Sequence, residues 1–415
     1  MTMTPIPIVG GALIMNHSFL IRLKMLKFSD FVSGIKLLIA IPFAIIFCFF
    51  KKDIWLICES EKEARDNGYW FYKYICDNHP EIDVIYAIDK KSPDYMKVCN
   101  LGKTCEFGTV RHWIYYLIAK YNISTQKGGK PNAAICYVLE IYGILKNKRI
   151  FLQHGITYND AEWLYYQNTK MRLFVCGAKP EYEYVKQRFG YPSGYVKYLG
   201  FPRFDNLINT PKTNLKKRII VMPTWREWLV IHTKMSEISN YDGNFKNTDY
   251  YKYWKALLEN KELHNLLERY ETELLFFPHR NMQPFLSNFS TCNQNIKIAS
   301  WEDYDVQDLL INSDLMITDY SSVFFDYAYL KKPIIFYQFD YQEFREGQYK
   351  EGYFDFDRQE LGKVCYSLQK LLYEIENVMK NNFVLEEKYI KNMGDFFALN
   401  DNKNSERIFN EIQKI

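Results

Sequence analysis

Missing from the 415 residues are the short motifs that announce the commonest nucleotide and hydrolase chemistries. There is no G-x-x-x-x-G-K-[ST] and no G-x-G-x-x-G, which argues against a P-loop NTPase and a dinucleotide oxidoreductase. Neither a G-x-S-x-G elbow nor an H-E-x-x-H metal helix occurs. The nine cysteines are odd in number, scattered, and form no C-x-x-C pair. That pattern speaks against a disulfide framework or structural zinc and for reduced core thiols on the cytoplasmic side. Net charge is +4 with no dense basic tract, so no nucleic-acid partner is expected. No internal repeat, low-complexity tract or metal-ligand constellation stands out.

What is present is a well-cored globular composition, 48% hydrophobic and 25% charged, at a length that calls for two domains plus extras. Aromatic residues reach 17%, with 34 Tyr and 30 Phe. This suits a sugar-handling or membrane-interface protein, and equally an AT-rich coding bias. Residues 37–50 are wholly apolar and closed by Lys51-Lys52. At 14 residues the run is short of the ~20 that span a bilayer, and extending it to Phe31 admits Lys36. The preceding 21–28 alternates basic and apolar residues and could lie among headgroups. Residues 1–52 are thus expected to associate with membrane, by monotopic or re-entrant attachment ahead of a transmembrane anchor. No small-residue cleavage site follows, and Met15 and Met25 are alternative starts.

From residue 53 an α/β rhythm sets in. Strands are expected at 53–58, 83–88, 122–126, 149–153, 173–177 and about 198, with helices at 68–78 and 113–120. The polar, Pro-bearing stretch 209–217 reads as a linker. The alternation then restarts: strands at 218–223, 273–278, 296–298, 315–318 and 334–337, one long helix at 250–270, a short one at 308–313, and helical 363–381 and 405–415. The expected organisation is a Rossmann-like domain over 53–209, a second Rossmann-like domain over 210–395, and a C-terminal helix over 396–415.

Three candidate sites fall at C-terminal ends of expected strands, where open α/β sheets hold ligands. Leu315-Met316-Ile317-Thr318-Asp319-Tyr320-Ser321-Ser322-Val323-Phe324-Phe325-Asp326-Tyr327 reads as strand, polar turn and helix. Thr318, Asp319, Ser321 and Ser322 surround a helix N-terminus, which is a ready anion site. A helix cap by Asp319 and Ser321 is the plainer reading. His154, in Gln153-His154-Gly155, can accept a proton from a hydroxyl nucleophile or simply bond a loop. His279-Arg280, after Phe276-Phe277-Pro278, is placed for phosphate oxygens, or Arg280 for a surface carboxylate. Lesser candidates are Thr224 and Arg226 in Pro223-Thr224-Trp225-Arg226 and Arg203 in Gly200-Phe201-Pro202-Arg203-Phe204-Asp205; either arginine is equally an interdomain ion pair. Glu343 and Arg345 lie where a nucleoside could be read. Gly155, Arg203, Asp326 and Glu343 complete the set as cleft contacts. His17, His79, His112, His232 and His264 read as structural.

In order and spacing, Gln153-His154-Gly155, the Gly200–Asp205 block, Pro223-Thr224-Trp225-Arg226, Pro278-His279-Arg280 and the 317–327 motif resemble the CDP-glycerol glycerophosphotransferases. These are bacterial teichoic acid and capsule enzymes of the TagB/TagF type, and the resemblance runs over 54–357. It implies a GT-B fold in which an acceptor-side domain over 53–209 and a CDP-donor-binding domain over 210–395 face a cleft, with monotopic attachment at the cytoplasmic face of the membrane. It also implies transfer of a polyol phosphate from CDP-glycerol or CDP-ribitol to a lipid-linked or polymeric glycan, with release of CMP. His154 would match the family's base, His279 its phosphate-binding histidine, and Ser321 and Ser322 its donor-phosphate contacts. No cofactor is implied, and a divalent-cation requirement stays open. Two departures matter. Gly352-Tyr353-Phe354-Asp355-Phe356 is not followed by the family's frequent Pro-Gly-Pro, and Gln153 stands where teichoic acid polymerases usually carry Trp. A capsule or surface-glycan enzyme therefore becomes more plausible than a wall teichoic acid polymerase. The long extra N-terminal region of the larger polymerases is not seen. Rival readings are a GT-B glycosyltransferase using a nucleotide sugar and a non-catalytic membrane scaffold for anionic polymer.

Overall fold

Strands buried on both faces of a parallel sheet need apolar residues at every position, and the chain supplies them in short runs. The structure, a computed structural model, describes residues 27–50, 53–233, 237–239, 245–348 and 350–415. Lys51-Lys52 and most of the basic–apolar stretch at 21–28 lie outside the described residues. The chain packs as two units.

The first unit holds the described residues up to Ala64, Ile75–Ile150 and Thr169–Arg172. Its strands are β1 (Trp55–Cys58), β2 (Val84–Ile88), β3 (Thr104–Glu106), β4 (Tyr121–Ser124) and β5 (Lys148–Phe151), in the order β3-β2-β1-β4-β5. β1 pairs parallel with both β2 and β4. Helix Phe28–Phe50 docks here against helix Val110–Ile118. Its contact stripe is made of small residues, Ser33, Ala40 and Ala44, which let the backbones approach. Trp113 Nε1 donates to Ser33 Oγ at 3.2 Å, and Asn132 Nδ2 to Asp30 Oδ1 at 2.7 Å. The helix is longer than the 14-residue apolar run: Lys36 does not interrupt it, because its ammonium donates to Gly108 O at 2.7 Å. Over its 23 residues it is long and apolar enough to cross a membrane by length and composition. Leu38, Ile45, Ile46, Phe49 and Phe50 on it are exposed.

The second unit holds Arg65–Tyr74, Phe151–Asn168 and Leu173–Ile415. Strands β6 (Leu173–Cys176) and β7 (Val196–Tyr198) pair parallel. β8 (Lys217–Met222) begins a six-stranded sheet, and a small antiparallel hairpin, β9 (Ile231–Thr233) and β10 (Glu237–Ser239), follows it. The sheet continues through β11 (Thr272–Phe276), β12 (Ile296–Ile298), β13 (Leu315–Thr318), β14 (Ile334–Tyr337) and β15 (Lys363–Cys365), in the order β12-β11-β8-β13-β14-β15. Every pair in it is parallel. The order reverses between β8 and β13, so the crevice beyond their C-terminal ends is where such a sheet receives a ligand.

Two element expectations are corrected. The long helix at 250–270 is two, Asp249–Leu258 and Lys261–Arg269, because Asn260 Oδ1 accepts the N–H groups of Glu262 and Leu263 and starts a new helix. The stretch 363–381 opens as β15, an edge strand on β14, before helix Leu368–Lys380. Helix Asn404–Gln413 packs on helix Pro202–Asn209. There Gly200 has φ +79°, and a Cβ on it would collide with the Asn404 side-chain amide. Asp205 accepts from the backbone N–H groups of Asn404 and Ser405 at 2.9 and 2.8 Å.

Candidate active site

His154 follows β5 on the second unit, and its side chain is 72% exposed. Its Nδ1 lies 2.5 Å from Asp66 Oδ2. Burial pushes the Asp66 carboxyl up, but His154 and Arg203 outweigh it and hold it below the usual range. An ionised carboxylate only accepts, so Nδ1 carries the proton and Nε2 is left as the basic atom.

Arg203 binds this pair into a chain. Its Nη1 donates to Asp66 Oδ1 at 2.7 Å and to His154 O at 2.8 Å, while Nε and Nη2 grip Asp326 at 2.8 Å each. Arg203 and Asp326, expected as cleft contacts, are thus spent on each other and on the His154 loop. The neighbouring Asn67 is fully buried; its amide donates to Gln153 O at 2.8 Å and its Oδ1 accepts from Arg203 N at 3.2 Å. Sequence reasoning missed Asp66 and Asn67, which fall in an expected loop. The one available signal was two cap-type residues ahead of a helix.

The Ser321-Ser322 turn is close by. A Cβ on Gly155 would sit 3.4 Å from Ser322 Oγ, and Tyr158 OH donates to Tyr320 O at 2.5 Å. Both serines are half-buried at the start of helix Val323–Tyr329, and Ser322 makes no side-chain capping bond. Asp319 does the work of the turn instead. It is buried, its Oδ1 accepts from Thr224 N at 2.8 Å and Tyr320 N at 2.7 Å, and its Oδ2 pairs with Arg226 Nη2 at 2.8 Å.

Arg226, expected on phosphate or in an ion pair, is placed by the structure as a brace. It is fully buried, with Nε 2.8 Å from Asp340 Oδ2 and Nη1 donating to Thr224 O at 2.9 Å. Its guanidinium is packed by the rings of Tyr320 and Phe344, which stack 3.8 Å apart. Every donor is committed, and none remains for a ligand. Thr318 and Asp319 also face inward: both are fully buried, and Thr318 Oγ1 donates to Met222 O at 2.7 Å. Thr224 is buried, yet its hydroxyl has no hydrogen-bond partner among the described residues.

His279 stands after β11 and Pro278, half-buried, its ring stacked on Trp225 at 6.3 Å. Nδ1 accepts from Asn281 N at 3.1 Å, so the neutral ring presents Nε2–H as a donor. Burial, and then the nearby His154, push its pKa down to about 4. It is therefore a neutral donor at physiological pH. Arg280 is exposed. Glu343 lies apart from the dyad, on a pocket of about 190 Å³ with Trp228, Tyr250 and Asp340. Burial, then Asp340 and Asp249, raise its carboxyl.

Two parallel α/β sheets with these ligand-facing strand ends make a GT-B protein, and solved structures agree on the fold. The wall teichoic acid polymerase TagF superposes with a TM-score of 0.63 at 17% identity, over 94% of this chain and 98% of that one. A TagF variant soaked with CDPG gives 0.60 at 19% identity, covering 88% of each chain. The chain belongs to the CDP-glycerol:poly(glycerophosphate) glycerophosphotransferase family, whose model matches residues 40–414. It is 33% identical over 377 residues to the minor teichoic acid biosynthesis protein GgaB of Bacillus subtilis (strain 168), which covers 88% of this chain and 40% of that relative. It is 23% identical to a teichoic acid poly(glycerol phosphate) polymerase of Bacillus spizizenii, over 85% of this chain and 90% of the relative. The chain thus spans well under half of GgaB.

Proposed function

We propose that this protein transfers glycerol phosphate or ribitol phosphate from a CDP-polyol to a hydroxyl of a lipid-linked or polymeric surface glycan, releasing CMP. The observation that carries the reading is the exposed His154, oriented by ionised Asp66 and lying beside the Ser321-Ser322 turn. The acceptor oxygen attacks the β-phosphorus in line while His154 Nε2 takes its proton. The bond from that phosphorus to the bridging oxygen breaks, and CMP leaves with the electron pair. His279 Nε2–H, Arg280 and the two serines hold phosphate oxygens, where fixed donors favour the charge that develops. Helix Phe28–Phe50 keeps the enzyme at the cytoplasmic face of the membrane, where lipid-linked acceptors lie.

Purified protein incubated with CDP-glycerol, CDP-ribitol and nucleotide sugars, with products read by mass spectrometry, tests the donor class. CMP release with polyol phosphate transfer is the expected result; sugar transfer would point to a glycosyltransferase instead. His154→Ala should lower turnover by about 10²–10⁴-fold while calorimetry finds CDP-glycerol binding intact. Wild-type turnover in that variant would remove His154 as the base.

A further inference from the structure

The loop carrying His154 is held from behind by a carboxylate that no motif contains. Glu181, on helix Lys179–Arg188, is fully buried. Its Oε1 accepts from the backbone N–H of Thr157 at 2.6 Å and from Gln153 Nε2 at 3.0 Å, and its Oε2 accepts from Gly177 N–H at 2.7 Å. Gln153 extends the net: its Nε2 also donates to Val175 O at 2.7 Å, and its Oε1 accepts from Thr157 Oγ1 at 2.7 Å. Residues on both sides of His154-Gly155 are therefore tied to one side chain. The backbone there is not relaxed, since Gln153 sits at φ +61°.

We propose that Glu181 is the positioning residue of His154, fixing the 153–157 loop so that the imidazole meets Asp66 on one side and the acceptor on the other. This rests on reading His154 as the base. A buried carboxylate ringed by amide donors is matched to the ionised form, because a protonated carboxyl would set its O–H against an N–H. The titratable side chains acting with it are Cys176, Tyr198 and Tyr353, all uncharged at neutral pH. Burial raises the Glu181 carboxyl while the donors of Thr157, Gly177, Gln153 and Ala178 lower it, leaving it at about 7. Protonation below that pH sets donor against donor and loosens the loop.

Glu181→Gln, an amide of equal shape, makes that conflict permanent. With CDP-glycerol as donor, kcat should fall at least about tenfold with KM changed less than about twofold, and the step that Glu181 adds to the pH profile near 7 should be lost, leaving that of the base itself. In the apo protein, the ¹⁵N-imidazole resonances of His154 should shift. Gln153→Ala, which keeps the carboxylate but cuts the cross-tie, should lower kcat several-fold at unchanged KM. A folded Glu181→Gln protein with wild-type kcat and pH profile overturns the proposal. If that variant does not fold, wild-type kcat in Gln153→Ala does so. Should the wild type release no CMP, the transfer reading fails by itself. Unshifted His154 resonances in Glu181→Gln then overturn the positioning role separately.

Discussion

Asp66 and His154 are separated by 88 positions in sequence and by 2.5 Å in space. Asp66 does more than complete a pair: it fixes the tautomer and so decides which ring nitrogen is basic. Asp66→Ala should lower kcat by about 10²-fold, within the range typical of lost acid–base catalysis, at nearly constant KM. Steady-state CMP release on a variant shown folded by circular dichroism checks this, and an unaltered kcat would leave His154 working alone. A lone carboxylate in a polar stretch carries little pattern, and beyond its cap-type place ahead of a helix nothing in the sequence set Asp66 apart from Glu61 and Glu63. Glu181 was hidden differently, as one of several charged residues on helix Lys179–Arg188, a stretch in which the sequence offers no motif.

At the scale of elements, apolar runs revealed most of the strands, because a parallel sheet buries both faces and leaves no polar position to blur them. β3 was missed; it has three residues, two of them only half-buried. Functional reading at strand ends was less secure. A polar cluster after a buried strand looks the same whether it binds a ligand or braces the turn, and only burial separates the two. Ser321 and Ser322 stay half-open to a ligand, whereas Arg226 and Asp319 are sealed. Arg226→Ala would leave Asp319 and Asp340 without their cation, at a cost of about 3–5 kcal/mol. Urea denaturation should register that loss; a midpoint equal to wild type would return Arg226 to the ligand side. The helix at 28–50 was only half legible, since Lys36 reads as an interruption until its carbonyl partner is known.

For the molecule as a whole, the exposed apolar side of helix Phe28–Phe50 is the feature on which the proposed membrane attachment rests. Leu38→Asp with Ile46→Asp keeps the docked stripe of Ser33, Ala40 and Ala44 and charges the opposite side. Each carboxylate placed at a bilayer centre costs about 2.5–3.5 kcal/mol. The doubly substituted protein should stay with the soluble fraction in vesicle flotation, where the wild type rises with lipid; equal flotation would move the attachment elsewhere. The second unit is drawn from residues 65–74, 151–168 and 173–415, and the niche that Gly200 leaves open is filled by Asn404. On a ribosome adding about 5–20 residues per second, the Gly200–Asp205 segment waits about 10–40 s for that plug. During that interval its apolar neighbours lack a lid. That niche stays open until synthesis reaches Asn404, and the timetable of translation becomes part of how the fold is attained.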